Sequence, residues 1–191
     1  MATHALAIRS LNDLEPWFVD LAREESLRSG GPTQIKDRLY LGDVFQATSA
    51  ELLRNLGITH VVNCTPDVPN VLEDADVRYH RVAVEDDEDA DIAAAFDEAA
   101  DFVADALAER TSRVLIHCIA GISRSATITL AYLVKHERAR LSEAFAYVRE
   151  RRGAVRPNDA FYRALCAYEA SLAPSASPSP IPDVYRDALA P

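Results

Sequence analysis

Residues 117–127, His-Cys-Ile-Ala-Gly-Ile-Ser-Arg-Ser-Ala-Thr, place a thiol at Cys118, hydroxyls at Ser123 and Ser125 and a guanidinium at Arg124, six positions beyond the thiol. These residue types suit attack by a thiolate on a phosphoryl group. Cys118 is the candidate nucleophile. Arg124 offers a planar fork of donors that matches two phosphoryl oxygens and a transition state whose charge is spread over them. Ser125 is placed to donate a hydroxyl bond to the sulfur and help it leave later in turnover. Gly121 lets the backbone approach a ligand closely. The backbone N–H groups of Ile119, Ala120, Gly121, Ile122 and Ser123, with those of the helix start that follows, gather around one point and make an anion cradle. Phosphate is its natural occupant, and the same cradle favours the negatively charged form of Cys118.

Such a loop works only if rigid elements hold both ends. Residues 114–116, Val-Leu-Ile, read as a strand that ends at His117-Cys118, and Ser125-Ala-Thr-Ile-Thr-Leu-Ala-Tyr-Leu-Val134 has helical periodicity. Upstream, residues 34–42 read as a short strand pair. Thr48-Ser-Ala-Glu51 carries a capping-box pattern ahead of Leu52, Leu53 and Leu56, with Gly57 at the C-cap. Strands are expected over 58–64, ending at Thr65-Pro66, and over 77–84, with a polar loop at 67–76 between them. A long Ala-rich helix is expected over 91–109, and two more over 142–152 and 158–172, the last capped by Asn158 behind Pro157. Alternating strands and helices predict an α/β fold, a central four- to five-stranded mixed sheet flanked by helices. Ligands in such sheets sit at the carboxyl ends of strands, where Cys118 falls. Residues 1–33 form an N-terminal extension with an amphipathic helix carrying Leu11, Leu14, Phe18 and Leu21, and 173–191 read as a Pro/Ser-rich mobile tail.

The chain has 191 residues, 49% of them hydrophobic, which suits one domain with a substantial core. A net charge of −10 argues against binding nucleic acid or an anionic membrane through bulk charge. There is no apolar run of about 18 residues and no signal-peptide pattern at the start. Three cysteines without close spacing make neither a disulfide framework nor a zinc site, so no metal and no cofactor are expected. A reducing compartment, the cytoplasm or the nucleus, suits a catalytic thiol. The sequence leaves the oligomeric state open.

The string His117-Cys118-Ile-Ala-Gly121-Ile-Ser-Arg124-Ser125 resembles the signature loop of the cysteine-dependent protein tyrosine phosphatases, most closely their dual-specificity branch and its MAP kinase phosphatases. Ile35-Lys-Asp-Arg-Leu-Tyr-Leu-Gly-Asp43 resembles the opening strands of that domain, and the resemblance covers residues 34–172. It implies a protein tyrosine phosphatase-like fold and metal-free hydrolysis of phosphotyrosine, phosphoserine and phosphothreonine on proteins through a phosphocysteine. The partner it implies is a phosphorylated protein, a MAP kinase being one candidate. Since only residues 1–33 precede the core, no upstream kinase-docking domain is expected, which puts a MAP kinase substrate in doubt. The alternatives are a phosphoinositide or phosphoglucan phosphatase of the same superfamily and a catalytically weak phospho-protein binding module. Retention of Cys118, Arg124 and the acid that the resemblance places at Asp86 argues against the last.

A departing oxygen needs a proton donor, and composition cannot choose one among Glu85-Asp-Asp-Glu-Asp-Ala-Asp91, most of which read as a solvated acidic loop. The resemblance places the acid at Asp86, 32 positions before Cys118 (118 minus 86). It also implies that His117 orients the loop, that Asn158 corresponds to a Pro-Asn element near the site, and that Cys64 can form a reversible disulfide with the nucleophile. Core packing is the other reading of Cys64, and the expected one for Cys166. Arg149, Arg151, Arg152 and Arg156 make a basic patch suited to a second phosphate or an acidic segment, or simply a solvated helix face.

Overall fold

A computed structural model describes residues 24, 26, 30–73, 77–175 and 177–185. Strands β1 (Thr33–Lys36) and β2 (Leu39–Gly42) form an antiparallel hairpin. β3 (His60–Asn63), β4 (Arg78–Arg81) and β5 (Val114–His117) join β2 in parallel, giving the order β1-β2-β5-β3-β4. β2, β3 and β5 are buried throughout, as interior parallel strands with both faces covered must be. β4 lies at the edge, where Arg78, Tyr79, His80 and Arg81 discourage further pairing.

The pleat of β5 sorts two cores. Val114 and Ile116 enter the larger one with helices α3 (Phe96–Ala108), α4 (Arg124–Lys135), α5 (Leu141–Arg151) and α6 (Asp159–Leu172). Leu115 points the other way, to Leu53, Ile58 and Val61 beneath α1 (Val44–Ala47) and α2 (Ala50–Leu56). Every residue of α4 from Arg124 to Val134 is buried, so the helix that follows the signature loop is the central post of the fold. Arg38, at φ 63° in the β1–β2 turn, donates to the carbonyls of Leu107, Glu109 and Ser112 and thereby ties off the end of α3.

Several boundaries shift. The strand expected over 77–84 pairs only at 78–81, because Val84 N–H turns back to the Val82 carbonyl. The helix expected from 91 begins as a 3-10 turn, Ala93–Ala95, with Asp91 accepting from the Ala94 N–H. α1 was not expected; Asp43 and Gln46 build its capping box, a weaker pattern than Ser or Thr with Glu. The amphipathic helix read at Leu11–Leu21 lies outside the described residues.

The mobile tail is corrected over its described part. Arg140 donates to the Ser177 and Pro178 carbonyls, and the Ser179 hydroxyl donates to Glu169. A 3-10 turn, Asp183–Tyr185, then buries Tyr185 completely, its ring stacked on Tyr162 at 4.0 Å. Composition pointed to a segment that buries little, yet one aromatic side chain contributes about 1.5–3 kcal/mol when buried, and prolines lower the entropy cost of ordering the chain.

Candidate active site

Cys118 stands one residue past the end of β5, 1% exposed, in the larger core cluster with Val82, Ile116 and Ala126. Its Sγ accepts the Gly121 N–H at 3.3 Å and the Ser125 hydroxyl at 3.2 Å. The loop carbonyls are held from outside, in succession. Ile119 O accepts from Val44 N–H, Ala120 O and Gly121 O from the Arg152 guanidinium, and Ile122 O from Arg156 N–H. All peptide bonds among the described residues are trans, so each outward carbonyl sends the next N–H to the opposite side. The amides of Ala120, Gly121, Ile122 and Ser123 therefore face the sulfur side, as the Gly121 bond to Sγ demonstrates. Gly121 adopts φ 68°, and a Cβ there would lie 2.6 Å from both Arg152 Nη2 and the Gly42 carbonyl, so no other residue fits.

Ser123 occupies the N-cap position of α4 without capping it. Its hydroxyl donates instead to Asp86 Oδ1 at 2.7 Å and accepts the Asn158 N–H at 3.0 Å. The first turn of α4 is left open toward Cys118, with its dipole unopposed by a side chain. Asn158 uses both ends of its amide: Oδ1 caps α6 through Phe161 N–H, and Nδ2 donates to Asp86 Oδ1 at 3.1 Å. Arg124, its side chain 1% exposed, donates to the Val84 carbonyl, with Nε 3.7 Å from Asp86 Oδ2 and Nη1 4.0 Å from Glu85. Of the acidic loop, Asp86 is thus the carboxylate gathered to Arg124, Ser123 and Asn158, whereas Asp87 accepts the Asp89 N–H and Glu88 is exposed.

His117 is buried, with Nδ1 3.4 Å from the Cys118 carbonyl, and burial pushes it down to about 4, so it is neutral at pH 7. Cys64 follows β3 as Cys118 follows β5, and its N–H bonds the His117 carbonyl, so the two thiols end neighbouring parallel strands. Burial first, then Cys118, holds the Cys64 thiol well above its ordinary range. Cys166, expected in the core, is half-buried and lines a groove of about 680 Å³ between the α4–α5 turn, the end of α6 and the tail.

The sequence reading missed the work of Arg152. It stood among four arginines on a helix end, and its partners are backbone carbonyls about 30 positions away, for which no spacing rule exists. Arg149 and Arg151 turn elsewhere, to the Val155 and Tyr147 carbonyls, so the four do not form one patch.

The family model described as dual specificity phosphatase, catalytic domain, matches residues 39–171. The chain belongs to the dual specificity phosphatase family. Xenopus laevis dual specificity protein phosphatase 1-A is 44% identical over 149 residues, covering 78% of this chain and 40% of the relative. The chain thus spans about 40% of the length of such curated relatives. Crystal structures of human DUSP28 and of a mouse putative dual specificity phosphatase complexed with zinc tungstate each superpose with a TM-score of 0.69 at 30% identity. Both cover 74% of this chain, and respectively 94% and 87% of the compared chains. The dual specificity phosphatase architecture is therefore the frame in which Cys118, Arg124 and Asp86 meet.

Proposed function

We propose that the chain hydrolyses phosphotyrosine and phosphoserine or phosphothreonine on proteins through a phosphocysteine at Cys118. The observation that carries this reading is Cys118 Sγ beneath an outward-held loop, with Arg124 and Asp86 paired beside it. Sγ attacks phosphorus, the S–P bond forms as the P–O bond breaks, and Asp86 gives its proton to the departing oxygen. Arg124 and the amides of residues 119–123 hold the three equatorial oxygens as charge spreads over them. Water, losing a proton to Asp86, then attacks the phosphocysteine, and the leaving sulfur is supported by Ser125 Oγ–H and Gly121 N–H. His117 and Asn158 position loop and acid.

A doubly phosphorylated kinase activation loop is one substrate of this class. The deciding experiment runs purified protein side by side on phosphotyrosine peptide, doubly phosphorylated kinase loop, phosphoinositide and phosphorylated glucan, with Cys118→Ser as control. Peptide turnover that Cys118→Ser abolishes while binding persists is expected; faster turnover of lipid or glucan than of every peptide overturns the protein-substrate reading.

A further inference from the structure

The segment 177–185 reaches the candidate active site from behind. Tyr185 is fully buried, stacked on Tyr162 at 4.0 Å and 18°, tilted against Phe145 at 5.6 Å, with the Arg156 guanidinium 5.6 Å from its ring centre. Its hydroxyl donates to the Pro157 carbonyl at 2.9 Å. That carbonyl and the Asn158 N–H belong to one rigid peptide unit. The unit is gripped at both ends: Tyr185 at its oxygen, Ser123 Oγ at its nitrogen.

Donors follow one direction from the tail to the acid. Tyr185 O–H meets the Pro157 carbonyl, the Asn158 N–H of the same peptide meets Ser123 Oγ, and the Ser123 O–H meets Asp86 Oδ1. The roles hold in both protonation states of Asp86, because an amide N–H only donates and Oδ1, which accepts from Ser123 and Asn158, leaves Oδ2 to carry the proton. Hydrogen bonds aligned head to tail polarise one another, so each link strengthens the next. Asn158 also reaches Asp86 through Nδ2, so rotation of the 157–158 peptide loosens both bonds that hold the carboxylate. Pro157 has no N–H and a fixed φ, which leaves this unit few other ways to be held.

We infer that Tyr185 is a positioning residue for the acid step, acting through the Pro157–Asn158 peptide, so that docking of the C-terminal segment and correct placement of Asp86 are one event. This rests on the phosphatase reading for its catalytic meaning and not for its geometry. A ring that only filled space would contribute to stability and leave the dependence on leaving group untouched.

The test uses the full chain with Tyr185→Phe, which keeps the stacked ring and deletes only the first donor, and Tyr185→Ala. Loss of one aligned hydrogen bond predicts about a fivefold fall in kcat for Tyr185→Phe on substrates with poor leaving groups, and a misplaced acid up to about 10²-fold for Tyr185→Ala. On an activated aryl phosphate both should stay within about twofold, because such a leaving group needs little proton donation. KM and the rate of Cys118 alkylation should hold in Tyr185→Phe, while its Asn158 amide exchanges with solvent faster than in the parent protein. If Tyr185→Ala does not fold, Tyr185→Phe decides. Unchanged Asn158 exchange, or equal losses on good and poor leaving groups, overturns the inference. If the parent protein shows no Cys118-dependent turnover while Tyr185→Phe still quickens Asn158 exchange, the phosphatase reading fails and the grip of Tyr185 on the peptide stands.

Discussion

Asp86 is the carboxyl that Ser123, Asn158 and Arg124 gather, and the proposed acid step rests on it. Replacing it with Asn should lower kcat by about 10²- to 10⁴-fold, the usual worth of a general acid. The loss should be largest on phosphoserine and phosphothreonine, whose alkoxides leave poorly, and smallest on activated aryl phosphates. Asp87→Asn, which touches neither Arg124 nor Ser123 in the bonds above, should change little on either; a large leaving-group-dependent loss there would assign the acid to Asp87. His117 supplies a stability signature. It folds with its proton affinity lowered from 6.5 to about 4, so its contribution is present above pH 6.5 and lost as pH falls through 4. The unfolded chain binds the proton first. Chemical denaturation from pH 7 to 4 should therefore cost the protein about 3 kcal/mol more than it costs His117→Gln. At this scale the sequence was most legible: residue types and spacing singled out Cys118, Arg124, Gly121 and Ser125. Asp86 required the family register, since the six carboxylates among positions 85–91 look alike until the bonds from Ser123 and Asn158 set one apart.

At the scale of elements, the strand–loop–helix around Cys118 was readable because apolar runs and a small-residue loop carry distinct periodicities. What holds the loop was not. Its carbonyls are bonded by Val44, Arg152 and Arg156, from elements far along the chain, and α1 is too short to announce itself. Gly121→Ala probes this frame directly: its Cβ would meet backbone that cannot yield, so kcat/KM should fall by about 10²-fold from a displacement near 1 Å. Wild-type rates in that variant would mean that the loop is softer than its carbonyl bonds imply. The neighbouring ends of β3 and β5 bear on redox control. Peroxide converts the Cys118 thiol to a sulfenic acid, and the Cys64 thiol can displace water from it to form a disulfide. Peptide mass spectra should show that bond, and Cys64→Ser should recover less activity than the parent after reductant. Equal recovery removes Cys64 from the role.

Over the whole molecule, alternating patterns were enough to predict a mixed sheet flanked by helices. The tail was misread because composition averages over a segment, whereas its docking depends on Tyr185 and on Glu169, which accepts from both Leu141 N–H and Ser179. A further property of the entire chain follows from Ser123, which stands at the head of the central helix and gives its hydroxyl to Asp86. An oxyanion above Cys118 would itself become the missing cap, so ligand and fold are thermodynamically linked. Tungstate, a tetrahedral mimic unable to turn over, should raise the melting temperature, by about 2.7 kcal/mol in stability at a hundred times its Kd. The gain should survive in Cys118→Ser and vanish in Arg124→Ala. On the phosphatase reading, inorganic phosphate, the product, would add to the stability of the fold by the same linkage.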